Sequence, residues 1–222
     1  MRGLRASVSR MKIRVALPGA EIDWWRGWLP HAQADALMQA LLVQAHWQVH
    51  RIRMFGRMVD SPRLSSWIGD PEASYRYSGT RFSPQPWLEV LQPVRLRLED
   101  ETGHRFNSVL INRYRSGSDA MGWHSDDEPE LGAQPLIASV SLGATRRFAF
   151  KHRDDASVKQ ALELGHGDLL LMGGQTQRHY RHALPRTAKP VGERINLTFR
   201  QVAGARVPAI RGWQHVARSP GR

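Results

Sequence analysis

Residues 136–152 read LIASVSLGATRRFAFKH. Apolar residues alternate with small or polar ones along two short runs, 136–143 and 146–152, with a turn signal between them. One such pair would fit any hairpin. The fold is decided by its repetition. SVLINRYR stands upstream at 108–115, and VKQALEL (158–164), DLLLM (168–172), HYRHAL (179–184) and RINLTFRQV (194–202) follow downstream. Strands this short and this evenly spaced predict a sandwich or barrel rather than a parallel βαβ sheet, and a jelly roll fits best.

The first half reads differently. Residues 30–46, PHAQADALMQALLVQAH, place Leu37, Leu41 and Leu42 at helical spacing behind Pro30, which suits a helix entry. Residues 47–55, WQVHRIRMF, alternate as a strand does. Residues 60–83, rich in Ser, Pro, Gly and Tyr, read as a long irregular loop. A second helix is expected from Pro86 through PWLEVLQPVRLRLEDETG, with Pro93 placed to kink or divide it. Helices ahead of an all-β half make the class α+β. The expected organisation is a disordered stretch at 1–15, an N-terminal extension at 16–107, a β core at 108–202 and a mobile tail at 203–222 with four Arg and no acid.

Composition narrows the chemistry. The chain has 222 residues and no cysteine, which excludes disulfides, zinc–thiolate sites, iron–sulfur clusters and a Cys nucleophile. Any metal must be held by His and carboxylate. Lys+Arg 32 against Asp+Glu 20 gives a net charge of +12, which favours a polyanionic partner, most often nucleic acid. No apolar run is long enough for a signal peptide or a membrane span, so a cytoplasmic location is expected, with no membrane partner and no obligate protein partner; a monomer suffices.

GWHSDDE, at 122–128, supplies His124 and Asp126 one residue apart, so in an extended chain both point the same way. Two His and one carboxylate would leave open positions on an octahedral iron(II), and zinc accepts the same donors. The third donor must come from a distant strand. His182, in QTQRHYRHALP, is the candidate and His179 its competitor. In RINLTFR (194–200), Arg194, Asn196, Thr198 and Arg200 share one face of a strand, and Ile195, Leu197 and Phe199 share the other. The polar face suits either solvent or the far carboxylate of a keto-diacid; Asn112 and Tyr114, two apart in INRY, could add donors.

INRYRSGSDAMGWHSDDE, RHYRHALP and RINLTFR, in this order, resemble the AlkB family of iron(II)/2-oxoglutarate-dependent oxygenases, over roughly residues 50–202. The resemblance implies a double-stranded β-helix, a jelly-roll form, with N-terminal helices and a nucleotide-recognition lid within 16–107. It implies iron(II) held by His124, Asp126 and His182, which carry the catalysis, and 2-oxoglutarate and O2 as co-substrates. Asn112, Tyr114, Arg194, Asn196, Thr198 and Arg200 match the 2-oxoglutarate contacts, with Arg194 first choice for the distal carboxylate.

Asp127 and Glu128 match the family's acidic residues beside the bound base, where a carboxylate favours a base made cationic by methylation. Tyr75 and Tyr77, in YRYSG, match aromatics that contact the base, and RMFGR (53–57) looks like the finger hairpin of duplex-preferring members, with Phe55 at its tip. The implied activity is oxidative demethylation of 1-methyladenine or 3-methylcytosine in DNA, with release of formaldehyde. The alternatives are the same chemistry on RNA or protein, or a catalytically silent jelly-roll protein that binds nucleic acid.

Overall fold

Both halves of the chain contribute to the larger of two packed sheets. The structure is a computed structural model that describes residues 11–54, 57–73, 75–77 and 80–203. Its first half holds strands β1 (Met11–Arg14) and β2 (Glu21–Arg26), helix α1 (His31–Gln44), β3 (Gln48–Met54), β4 (Arg57–Gly69), β5 (Tyr75–Tyr77), β6 (Thr80–Phe82) and helix α2 (Gln92–Thr102). Its second half holds β7 (Ser108–Tyr114), β8 (Met121–His124), β9 (Ile137–Gly143), β10 (Arg146–His152), β11 (Lys159–Leu164), β12 (Leu169–Gly173), a single turn of helix α3 (Thr176–His179), β13 (Tyr180–Leu184) and β14 (Arg194–Arg200). The seven strands read from the sequence beyond residue 107 are all present, most within a residue of their expected ends. β8 is an addition.

The major sheet runs β1-β2-β12-β9-β14-β7-β4-β3 and the minor sheet β11-β10-β13-β8, with β5 and β6 as a separate hairpin. The two sheets face each other as a jelly roll does. Alternation along the central strands sorts side chains into two cores. Val109, Ile111, Val140, Leu142, Ile195, Leu197 and Phe199 point outward, against Leu37 and Leu41 of α1 and Val94 and Leu98 of α2. Ile137, Leu170 and Met172 point inward, toward Phe148, Phe150, Tyr180 and Leu184 of the minor sheet. The helices therefore close one face of the major sheet and leave its other face for a site between the sheets.

Three expectations are corrected. Residues 60–83 are not one long loop: β4 runs to Gly69, paired with β7 from Leu64↔Arg113 to Gly69↔Ser108. Its Pro62, which suggested a loop, sits where the β3–β4 ladder slips, between Val49↔Leu64 and Arg51↔Asp60, and an irregularity of that kind tolerates a residue without an N–H. Within 1–15, Met11–Arg14 form a strand rather than a disordered segment, paired with Asp23–Arg26. The second helix starts at Gln92, after a 3-10 turn at Glu89–Leu91, so Pro93 stands in its first turn, where its missing N–H costs nothing, and does not kink it. Gly103 ends that helix with a φ of 68°, its N–H bonded to the Glu99 carbonyl at 2.9 Å.

Candidate metal centre and co-substrate pocket

β8 and β13 are antiparallel neighbours, and their register sets His124 directly opposite His182. The two rings meet edge to face, with centroids 4.3 Å apart. Asp126 lies two residues beyond His124, and its Oδ2 is 3.8 Å from His182 Nε2. One donor atom from each of the three falls within 4.8 Å of the others, the only such group of three among the described residues. His179, the competing donor, lies outside it.

The hydrogen bonds prepare these donors for a cation. His124 Nδ1 lies 2.9 Å from the carbonyl of Gly122. A carbonyl only accepts, so Nδ1 carries the proton and the Nε2 lone pair is left for a metal. Arg200 Nη2 donates to Asp126 Oδ1 at 2.5 Å, leaving Oδ2 turned toward the histidines. The Asp126 N–H donates to Gln177 Oε1 at 3.0 Å, which fixes the backbone of the loop. His182 lies against Phe148, at 5.3 Å and 24°, and near Phe150.

Burial favours the neutral form of both histidines: it lowers the pKa of His124 and takes that of His182 down to about 3, with the neighbouring His124 adding to the latter shift. Burial alone would raise Asp126, but the charge and hydrogen bond of Arg200 outweigh it and hold the carboxylate ionised. Two neutral imidazoles and one carboxylate, all buried or half-buried, are a donor set that fits iron(II).

A cavity adjoins this cluster between the sheets. Asn112, Tyr114, Ser139, Asn196, Thr198 and Arg200 line it from the major sheet, and His124 and His182 from the minor one. The polar face of RINLTFR thus looks into the site, not to solvent. Arg63 Nε donates to Asn112 Oδ1 at 2.8 Å, so the amide presents its NH2 to the cavity. Ser139 Oγ bonds Asn196 Oδ1 at 2.9 Å, and Asn196 Nδ2 donates to Thr198 Oγ1 at 2.9 Å. Arg63, Ser139 and Gln177 escaped the sequence reading. Arg63 lay in the stretch taken for a loop; Gln177, five residues before His182, carries no mark of its own.

Arg194 does not line this cavity. It is fully buried opposite Tyr114, which does. Its guanidinium donates to Ser141 Oγ at 2.7 Å and to the carbonyl of Leu164 at 3.0 Å, while its Nε has no partner. Burial lowers its pKa to about 10, and burial raises that of Tyr114.

The acids after Asp126 divide. Asp127 is exposed and paired with Arg153 Nη2 at 2.5 Å. Glu128 has a buried Oε2 without a partner, and burial, with the charge of Asp126, raises its pKa to about 7. Tyr75 and Tyr77 belong to the β5–β6 hairpin, where Tyr75 pairs with Phe82 and Tyr77 with Thr80. Phe55 lies outside the described residues.

The profile of the 2OG-Fe(II) oxygenase superfamily matches residues 21–200. Curated proteins similar to this chain include the DNA oxidative demethylase ALKBH2 of Bos taurus, 41% identical over 77% of this chain and 65% of that protein, and its Homo sapiens counterpart, 40% identical over 77% and 69%. The alpha-ketoglutarate-dependent dioxygenase alkB homolog 3 of Rattus norvegicus is 39% identical over 79% and 62%. The chain spans about two-thirds of the length of these relatives. Within that superfamily, the chain belongs to the AlkB family. The solved structure of OsALKBH1 shares the fold, with a TM-score of 0.57 at 19% identity, over 86% of this chain and 100% of that one. No helix among the described residues is long and apolar enough to cross a membrane.

Proposed function

We propose that the protein is an iron(II)/2-oxoglutarate-dependent DNA oxidative demethylase that restores bases such as 1-methyladenine and 3-methylcytosine. The reading is carried by one observation: the His124–Asp126–His182 cluster opens onto a cavity whose other wall is the polar face of β14. The names of the ALKBH2 relatives supply the substrate class. When bound, iron(II) with 2-oxoglutarate and O2 supplies the oxidant that hydroxylates the N-methyl carbon, which leaves as formaldehyde while 2-oxoglutarate ends as succinate and CO2.

The chain's own residues position and shield. His124, Asp126 and His182 hold the metal, and Arg200 fixes the Asp126 carboxylate so that its free oxygen faces it. The Asn112 amide, the Tyr114 hydroxyl, Asn196 and Thr198 offer donors to the co-substrate, and the buried Arg194 supplies positive charge behind them for its distal carboxylate. Phe148 and Phe150 keep water from one side of His182. Glu128, at the start of the loop beyond the iron ligands, favours a cationic methylated base over a neutral one. Tyr75 and Tyr77, in the β5–β6 hairpin, belong to the lid that receives the nucleotide.

The test is anaerobic loading with iron(II) and 2-oxoglutarate, then O2 and a DNA oligonucleotide carrying 1-methyladenine, followed by mass spectrometry. A loss of about 14 mass units, one CH2, is expected with succinate in step. Succinate without a change in the DNA would move the substrate to RNA or protein. No succinate from iron-loaded protein would overturn the enzyme and leave a binding protein.

A further inference from the structure

The inner face of the minor sheet carries the two histidines; its outer face carries a row of cations. In the registers of β10, Lys151 stands opposite Lys159 of β11 on one side and Arg181 of β13 on the other. Lys159 and Arg181 are exposed and Lys151 is half-buried. Among the described residues, no carboxylate lies within ion-pair distance of any of the three. The next row on the same face is Ala161, Ala149 and Ala183, which adds no acid, and only beyond it do Glu163 and Arg147 oppose each other.

The basic row leads to the sheet's edge at Trp123 of β8, which is 45% exposed, with Lys151 Nζ 4.5 Å from its ring centroid. Arg181 and Trp123 are the immediate chain neighbours of His182 and His124. Three cations on adjacent strands, which lie about 4.8 Å apart, match a polyanion rather than an apolar partner.

We propose that this row is a track for the phosphodiester backbone of the nucleic-acid strand flanking the target base, with Trp123 offering a stacking face to a base at its end. The proposal rests on the DNA reading above and says where the strand runs. Lys159, Lys151 and Arg181 each neutralise a phosphate, which releases counterions and makes the affinity steeply salt-dependent. Trp123 acts differently, because stacking releases no counterions.

The experiment is fluorescence anisotropy of a labelled single-stranded oligonucleotide carrying 1-methyladenine, titrated with the full chain over a range of salt. The triple variant Lys151→Gln, Lys159→Gln, Arg181→Gln should lower the slope of log Kd against log salt by about two, at roughly 0.7 per phosphate contact. A matched control, Lys12→Gln, Arg14→Gln, Arg26→Gln at the far edge of the major sheet, should leave the slope close to that of the unaltered protein. Trp123→Ala should weaken binding roughly tenfold at every salt concentration and leave the slope alone.

An unchanged slope in a triple variant whose circular dichroism is intact overturns the track, as does an equal fall in the control. An unchanged Kd for Trp123→Ala removes the stacking face. If the unaltered protein neither binds nor demethylates the oligonucleotide, the DNA reading fails and the track with it. If it does both while the triple variant keeps its slope, only the track fails.

Discussion

Arg194 and Arg200 stand at opposite ends of one seven-residue strand, on the same face, and their surroundings differ in kind. Arg200 is neutralised: Asp126 takes its Nη2 at 2.5 Å, and Asp126 belongs to the candidate metal cluster. Arg194 is deeper and, among the described residues, has no carboxylate within ion-pair distance. Its partners are a hydroxyl and main-chain carbonyls. A buried charge without a counter-ion is expensive to keep. One end of β14 therefore holds a finished ion pair, and the other a cation in want of an anion. This difference favours Arg194 over Arg200 as the partner of the distal carboxylate of 2-oxoglutarate.

The largest effect is expected at Arg194. Arg194→Met should raise the Kd for 2-oxoglutarate by roughly a hundredfold, since it removes the buried positive charge behind the cavity wall, and should leave metal affinity nearly unchanged. Calorimetric titration of the Mn(II)-loaded protein separates the two. An equal loss of both would mean that the two ends of β14 are not separate devices.

Arg200→Met tests the opposite end. It strips Asp126 of the partner that orients it, and an outer partner of this kind is typically worth about 10- to 100-fold in metal affinity. The expected pattern is the mirror image of Arg194→Met: weaker Mn(II) binding measured before any co-substrate is added. Unchanged metal affinity would reduce the Arg200–Asp126 pair to packing.

A smaller effect is expected from Arg63. Its Nε fixes which way the Asn112 amide faces. Arg63→Met should raise the Kd for 2-oxoglutarate about fivefold, the worth of one oriented hydrogen bond of ~1 kcal/mol, and Arg63→Lys should restore part of it. If Arg63 acts through Asn112, the same change in an Asn112→Ala background should do nothing further. Full additivity would instead give Arg63 a separate role.

The difference in how these residues stood out in the sequence is physical. Local spacing was legible: His124 and Asp126 share a turn, and β14 shows its two faces in strict alternation, so both could be read without knowing what lay opposite. The pairing of His124 with His182 depends on the register of two strands far apart in the chain, which spacing alone left open between His179 and His182. Arg63 was hidden by its neighbours. Ser and Pro around it speak for a loop, and only the pairing of β4 with β7 makes that stretch a strand beside the pocket. Asp127 shows the reverse failure. Its place beside Asp126 suggested a free acid facing a bound base, but Arg153, from the end of β10, already holds it.

Acid should also tell the two ends apart. His182 is held neutral by burial, with a pKa of about 3 against 6.5 for a free imidazole. Below pH 6.5 the unfolded chain takes up a proton that the folded site refuses. The stability contributed by the neutral ring is therefore complete above 6.5 and is lost as the pH falls toward 3, at up to about 1.4 kcal/mol per pH unit. His124, shifted in the same direction, adds to this. At the other end, Tyr114 is raised from an already high value and Arg194 stays near 10, so nothing there changes charge in that window. Urea unfolding of the metal-free protein at pH 7.5, 6 and 5 should show a steep loss, and His182→Gln should flatten it by about one proton. Arg194→Met should leave the slope untouched, whatever it does to the stability itself. A slope that Arg194→Met alters as much as His182→Gln would show that the two ends of β14 share one electrostatic environment.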